Sequence, residues 1–101
     1  MTHNVVFTPA AKADLRDLYW FIAEHSGHPR ALAFVERIES YCSGFATFPE
    51  RGSRRDDLLP GLRIIGFERR VTLAFHVGEH TVTFDRILYA GRDIVSELGG
   101  N

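Results

Sequence analysis

Residues 60–93, PGLRIIGFERRVTLAFHVGEHTVTFDRILYAGRD, constrain the fold more than any other stretch of this chain. Apolar and polar residues alternate there over three consecutive runs. A period of two is the mark of strands that bury one face. Arg63 to Phe67 is expected as one strand, Arg70 to Val77 as the next, and Thr81 to Tyr89 as the third. Val77-Gly78-Glu79-His80 is expected as a hairpin turn, with Gly78 at the first central position of type II′ geometry. Strands joined so closely must run antiparallel.

Before residue 50 the pattern changes to a helical period. Val5, Val6 and Phe7 within Asn4 to Thr8 predict a short first strand. Thr8-Pro9 then opens a helix: Thr8 accepts from an orphan backbone N–H, and Pro9 suits the first helical position. Ala11, Leu15, Leu18 and Ile22 form its apolar stripe to about Glu24, and Gly27 is placed to cap it. His28-Pro29 opens a second helix with the stripe Ala31, Val35, Ile38, Cys42 and Phe45, ending near Thr47. So few residues join the two helices that they are expected to form an antiparallel hairpin. Residues 49–61, PERGSRRDDLLPG, have loop composition, and Gly91 to Leu98 is expected as a short final helix. The order β-α-α-β-β-β-(α) predicts an α+β fold, a single domain over residues 1–101, with the helix hairpin packed on a small, mainly antiparallel sheet.

A two-residue turn at Gly78-Glu79 sets Val77 opposite His80, Ala74 opposite Thr83 and Thr72 opposite Asp85. Alternation then sends Val71, Leu73, Phe75, Val82 and Phe84 to the core face. Arg70, Thr72, Ala74, His76, Thr81, Thr83, Asp85 and Tyr89 fall on an open face. Arg86 breaks the pattern, because parity places it on the core side. A lone buried cation costs several kcal/mol, so Arg86 needs a carboxylate or a bulge, and Asp14 beside the first helical stripe is the candidate partner. Both residues are therefore expected to be structural. Trp20 lies on the polar side of its helix among Arg16, Asp17 and Glu24, a placement that suits a protein contact as well as packing on a neighbour.

The net charge of −1 gives no global attraction to nucleic acid. The basic density is local: six arginines lie between Arg51 and Arg70, against Asp56, Asp57 and Glu68. Lys12 is the only lysine, so almost every cation is a guanidinium suited to carboxylate or phosphate. Cys42 is the only cysteine and sits on an apolar stripe, which fits a small buried hydrophobe and excludes an internal disulfide. No run is apolar enough to span a bilayer and no signal-peptide pattern opens the chain, so a cytoplasmic protein without membrane association is expected. His25, His28, His76 and His80 lack metal-ligand spacing, and no metal or cofactor is expected. A nuclease working without metal needs a base, an acid and cations around the phosphate. Arg63, Arg70, His76, Asp85, Tyr89 and Arg92 supply those types if they converge.

Several segments in order resemble the ParE/RelE superfamily of bacterial type II toxins. Ala11-Lys12-Ala13-Asp14-Leu15 fits A-x-x-D-L; Pro49-Glu50-Arg51-Gly52 fits a P-x-x-G loop; Pro60-Gly61-Leu62-Arg63 fits P-G-L-R. Arg70 to Val77 resembles R-Y-x-I-x-Y-x-V, and Val82 to Asp93 resembles V-x-I-x-R-V-L-H-G-x-R-D. The pattern is closer to the ParE branch, the plasmid stabilisation proteins, than to RelE. The resemblance implies a growth-arresting toxin held by a small antitoxin that wraps the helix hairpin and sheet as a hetero-oligomer. ParE members bind and inhibit DNA gyrase without catalysis; RelE members cut messenger RNA on the ribosome. On the ParE reading Trp20, Arg63, Arg70, Tyr89 and Arg92 are partner contacts, and whether the chain is an enzyme stays open. On the RelE reading Arg63, Arg70 and Arg92 neutralise phosphate while Tyr89 or His76 handles the proton. A third reading is a non-toxic homologue that only binds its antitoxin. Asp56-Asp57 beside the arginine loop and the net charge of −1 depart from the RelE pattern; Tyr89, where ParE members often carry histidine, departs from the other.

Overall fold

The computed structural model describes residues 2–89 and 92–98. The elements are β1 (Asn4–Phe7), α1 (Pro9–Ser26), α2 (His28–Ser43), a 3-10 turn (Gly44–Ala46), β2 (Ser53–Arg54), β3 (Leu62–Phe67), β4 (Val71–Val77), β5 (Thr81–Tyr89) and α3 (Ile94–Leu98). This is the expected α+β order with one addition, since the loop after α2 contributes the two-residue β2. Gly91, expected to begin the last helix, lies outside the described residues.

Thr8 starts α1 as expected, its hydroxyl accepting from Ala11 N at 3.0 Å. A single residue, Gly27, joins the helices. Its φ of 93° and ψ of 160° belong to a region essentially reserved for glycine. The sheet runs β1-β5-β4-β3-β2, antiparallel except for the parallel pair β1 and β5. The helix hairpin covers one face. Ala11, Leu15 and Leu18 of α1, and Ile38 and Cys42 of α2, bury against Leu73, Phe75, Val82 and Phe84. Phe45 in the 3-10 turn completes the core, its ring 5.0 Å from Phe75 and 5.2 Å from Phe84 in edge-to-face contact.

The register of β4 on β5 differs from the expected one in two ways. Val77 pairs with Val82, not His80. The connection is longer than two residues, closed by Gly78 N donating to Thr81 O at 2.7 Å. Gly78 does not adopt the left-handed backbone that type II′ requires, whereas Gly27, Gly52 and Gly61 have positive φ. This shift of two leaves the faces unchanged. A bulge then changes them: Phe75 pairs with Phe84 but Ala74 pairs with Arg86, leaving Asp85 without a partner. Every later residue of β5 reverses face.

Candidate functional site

The bulge at Asp85 relocates three residues. Ile87 pairs with Leu73 and enters the core; Tyr89 pairs with Val71 and joins the helix side. Tyr89 was expected on the open face. It now packs against Phe21 of α1 at 5.5 Å, and burial raises its hydroxyl pKa, with Asp17 adding to the shift. Arg86 pairs with Ala74 and so leaves the core face that simple alternation assigned to it. Asp85 at the bulge binds His76, Oδ2 to Nδ1, at 2.8 Å. The second face is not bare either, because Leu62, Ala74 and Leu88 are fully buried.

β1 stops pairing at Phe7–Phe84, so beyond that point the backbone edge of β5 needs other partners. Residues at the start of α1 supply them. Thr8 Oγ1 donates to Asp85 O at 2.9 Å, and Ile87 N donates to Asp14 Oδ2 at 2.8 Å. Asp14, almost wholly buried, also accepts from Arg86 Nε at 2.7 Å and from its Nη2 at 3.0 Å. Arg86 reaches Glu97 of α3 at 3.0 Å, and Arg92 lies 3.8 Å from Asp14 and 3.3 Å from Glu97. The hydrogen bonds that Arg86 donates to Asp14, then the charges of Asp14 and Glu97, hold the Arg86 guanidinium above its ordinary pKa. This network ties α1 and α3 to β5.

The principal concavity lies where the joined ends of the helices face the β3–β4 turn, a groove of about 620 Å³. Leu18, Phe21, Phe34, Val71 and Tyr89 give it an apolar lining. Arg30 from the first turn of α2, and Arg69 and Arg70 from the β3–β4 turn, give it a basic rim. Among the described residues no carboxylate forms an ion pair with any of these three. The turn itself is strained. Glu68 and Arg69 adopt φ of 49° and 62°, the left-handed region that non-glycine residues seldom occupy. Arg37 of α2 clamps Glu68 with bonds of 2.9 and 3.0 Å, and this holds the Glu68 carboxyl below its usual pKa. Arg70, expected to open β4, belongs to this turn instead. Arg30 and Phe21 carry no signal in the sequence that marks them for this groove, and the adjacent Arg69-Arg70 pair is aimed only by the left-handed turn.

The residues proposed for nuclease chemistry do not converge. Arg63 pairs with Phe75 at one end of β3, where it donates to Arg51 O at 3.2 Å and lies 3.9 Å from Glu50. Arg70 follows the other end, past the Phe67–Val71 pair, which itself lies roughly 14 Å further along at the strand rise of about 3.4 Å per residue. His76 lies across the sheet from the helices with Asp85, Tyr89 lies on the helix side, and Arg92 is held by Glu97. Trp20 is half exposed and touches Tyr19 and His28 edge-on, away from the groove lining. Cys42 is fully buried, which pushes its thiol up to about 12. Among the described residues no group of three metal-ligating side chains occurs, and no helix is long and apolar enough to cross a membrane.

Two helices on this five-stranded sheet form an α+β fold of the RelE/ParE-like class. The chain superposes on a structure of the chromosomal ParDE toxin–antitoxin system from P. aeruginosa with a TM-score of 0.76, at 24% identity, covering 88% of this chain and 97% of that one. It superposes on the RelBE2 toxin–antitoxin complex of Mycobacterium tuberculosis with a TM-score of 0.64, at 22% identity, covering 91% and 95%. At those identities the likeness is one of fold. The sequence narrows it. The family model for the ParE toxin of type II toxin-antitoxin systems, parDE, matches residues 5–94. Toxin ParE3 of Caulobacter vibrioides is 33% identical over 96 residues, 95% of each chain. The chain belongs to the ParE family of type II toxin–antitoxin toxins.

Proposed function

We propose that this ParE-family toxin acts in the cytoplasm by binding a protein target, with DNA gyrase the first candidate, and that a cognate antitoxin neutralises it in a hetero-oligomer. The dispersal of the candidate nuclease residues carries this reading: Arg63 and His76 lie at one end of the sheet, Arg70 in the turn at the other, Tyr89 on the helix side, and Arg92 beyond β5 against Glu97. Phosphoryl chemistry without metal needs its acid, base and cations around one scissile bond. Here two of the arginines are engaged by carboxylates and Tyr89 packs on Phe21. The groove offers instead what protein recognition uses, an apolar floor with charge at its margin. The related structures belong to toxin–antitoxin systems, which supports an antitoxin as partner.

The test is to express the chain without an antitoxin from an inducible promoter. Growth arrest with loss of gyrase supercoiling and intact messenger RNA is the expected result. Cleaved messenger RNA with normal supercoiling would transfer the protein to the ribonuclease reading. Unimpaired growth at confirmed expression would make it a non-toxic homologue.

A further inference from the structure

We propose that a second cleft, of about 280 Å³ at the β4–β5 hairpin end of the sheet, binds a small monocarboxylic acid through Arg63 and His3. The principal groove lies at the opposite end of β3, beyond the Phe67–Val71 pair. The proposal is independent of which macromolecule the toxin targets.

Strand register builds this cleft. Arg54 pairs with Arg63, and Arg63 pairs with Phe75, so all three share the helix-covered face. Val77 lies two residues beyond Phe75 on the same face. His3 lies two residues before Val5, whose partner Val82 is in the core. The backbone N–H of His3 donates to Ala46 O at 2.8 Å, which seats it beside the 3-10 turn after α2. Two arginines and a histidine therefore stand on the apolar side of the sheet, around one opening.

A cation on a covered face needs a partner, as Arg86 has in Asp14. Arg54 has one in Asp56, at 2.9 and 3.1 Å, and Asp56 also accepts from Gly61 N at 2.8 Å. Arg63 is served much less well. Its side chain keeps only 17% exposure. Among the described residues its one hydrogen bond runs from Nη1 to Arg51 O, at 3.2 Å. Glu50 Oε1 stands 3.9 Å from Nη2, beyond hydrogen-bond reach, on a side chain that is 75% exposed. The Nε–Nη2 edge of a largely buried guanidinium is thus left without an acceptor. His3 lines the same cleft, and its Nδ1 is buried with no hydrogen-bond partner among the described residues. Buried polar atoms are normally paired, and two orphans at one opening point to a ligand that supplies oxygen to both.

Shape, charge and size select that ligand. The Nε–Nη2 edge matches the two oxygens of a carboxylate side-on. Glu50 and Asp56 already set two negative charges against Arg54 and Arg63, so the site suits a monoanion better than a phosphate dianion. The volume falls just below the range of about 300–1,000 Å³ usual for ligand pockets, which suits a small acid and excludes a polymer. Val77 offers its short hydrocarbon body an apolar wall.

The test is a nuclear magnetic resonance titration of the full chain with propionate, and with inorganic phosphate at equal ionic strength. Propionate should shift the Arg63 Nε–H and His3 ring signals saturably, with a dissociation constant on the order of millimolar for so few atoms. Glu50→Gln removes the competing carboxylate at an exposed position and should tighten binding about threefold. Arg63→Lys loses the fork and should weaken it about tenfold. Arg55→Ala, whose guanidinium faces Asp57 outside the lining, should leave it unchanged. Shifts that fail to saturate, phosphate binding as tightly as propionate, or no effect of Glu50→Gln each overturn the proposal. If Arg63→Lys does not fold, the wild-type titration and Glu50→Gln still decide it.

Discussion

Asp14→Ala should be among the most damaging single substitutions in the chain. Asp14 is one carboxylate with three calls on it: two N–H groups of Arg86 and the backbone N–H of Ile87. Truncation leaves the Ile87 N–H unpaired in the core, at about 1–3 kcal/mol. It also breaks a buried ion pair, an event that typically costs about 3–5 kcal/mol when a charge is stranded. Arg86 is not fully stranded, because Glu97 remains 3.0 Å away and its side chain keeps 17% exposure. The two contributions overlap, so we expect a net loss of roughly 3 kcal/mol. A domain of this size has a total stability of about 5–15 kcal/mol, so the melting temperature should fall by about 12–24 °C. Asp14→Asn keeps an oxygen for Ile87 N and should cost about 1–2 kcal/mol less, since only the charge is removed.

The assay is urea unfolding followed by far-ultraviolet circular dichroism for wild type, Asp14→Ala, Arg86→Ala and the double variant. The cycle should give a coupling of at least about 1.5 kcal/mol. An Asp14→Ala loss under about 0.5 kcal/mol, or a coupling near zero, would refute the claim that this carboxylate holds α1 to β5.

Gly52 closes the Pro49-to-Gly52 loop with φ of 73°, and a Cβ there would collide with the carbonyl oxygen of Ile64. Gly52→Ala should therefore destabilise by about 2–4 kcal/mol, read as a lower urea midpoint, and an unchanged midpoint would show the loop to be free to move. Cys42 has its thiol raised from its ordinary 9.0 to about 12, so the folded state holds that proton more tightly than the unfolded chain does. The corresponding stability is fully present below about pH 9 and is lost as pH rises toward about 12, the unfolded thiol ionising first. Cys42→Ala should flatten the fall in urea midpoint over that window, and in the native protein the thiol should resist alkylation until urea unfolds it.

The sequence carried most of this fold because its signals were local. Thr8-Pro9, His28-Pro29 and the two apolar stripes predict α1 and α2 from contacts within one helix, and the strands follow from alternation. The Asp14–Arg86 pair was legible for a different reason: a charge in an apolar pattern demands a partner, and Asp14 flanks the facing stripe. The bulge was legible only as one of two remedies for Arg86, a carboxylate or a bulge, and the structure has both; nothing in Thr83-Phe84-Asp85-Arg86 fixes where the pairing skips, because the bulge arises where β1 ends and α1 takes over the edge of β5. One unpaired residue then reversed the faces of Arg86, Ile87 and Tyr89. The groove was hidden for a similar reason: its basic rim depends on Glu68 and Arg69 adopting backbone angles that their residue types disfavour.

The arginine-rich stretch from Arg51 to Arg70 shows how far composition can mislead about a partner. Arg51 donates to the carbonyls of Phe48 and Gly44 and stacks 4.5 Å over Phe45. Arg54 and Arg55 are chelated by Asp56 and Asp57 two residues on, and each aspartate is held below the usual carboxylate range mainly by its arginine. Arg63 lies between Glu50 and a backbone carbonyl. Of the six cations Arg51, Arg69 and Arg70 have no ion-pair partner among the described residues, and Arg51 is committed to backbone carbonyls and the Phe45 ring, which leaves Arg69 and Arg70. Neutralising two phosphates would give a salt dependence worth only about tenfold between low and physiological salt, against roughly a thousandfold or more for a surface making six to ten contacts. A site reading RNA through its backbone needs more free charge than this stretch supplies. The apolar floor beside these two cations suits a protein contact better, because burial there can provide most of the affinity.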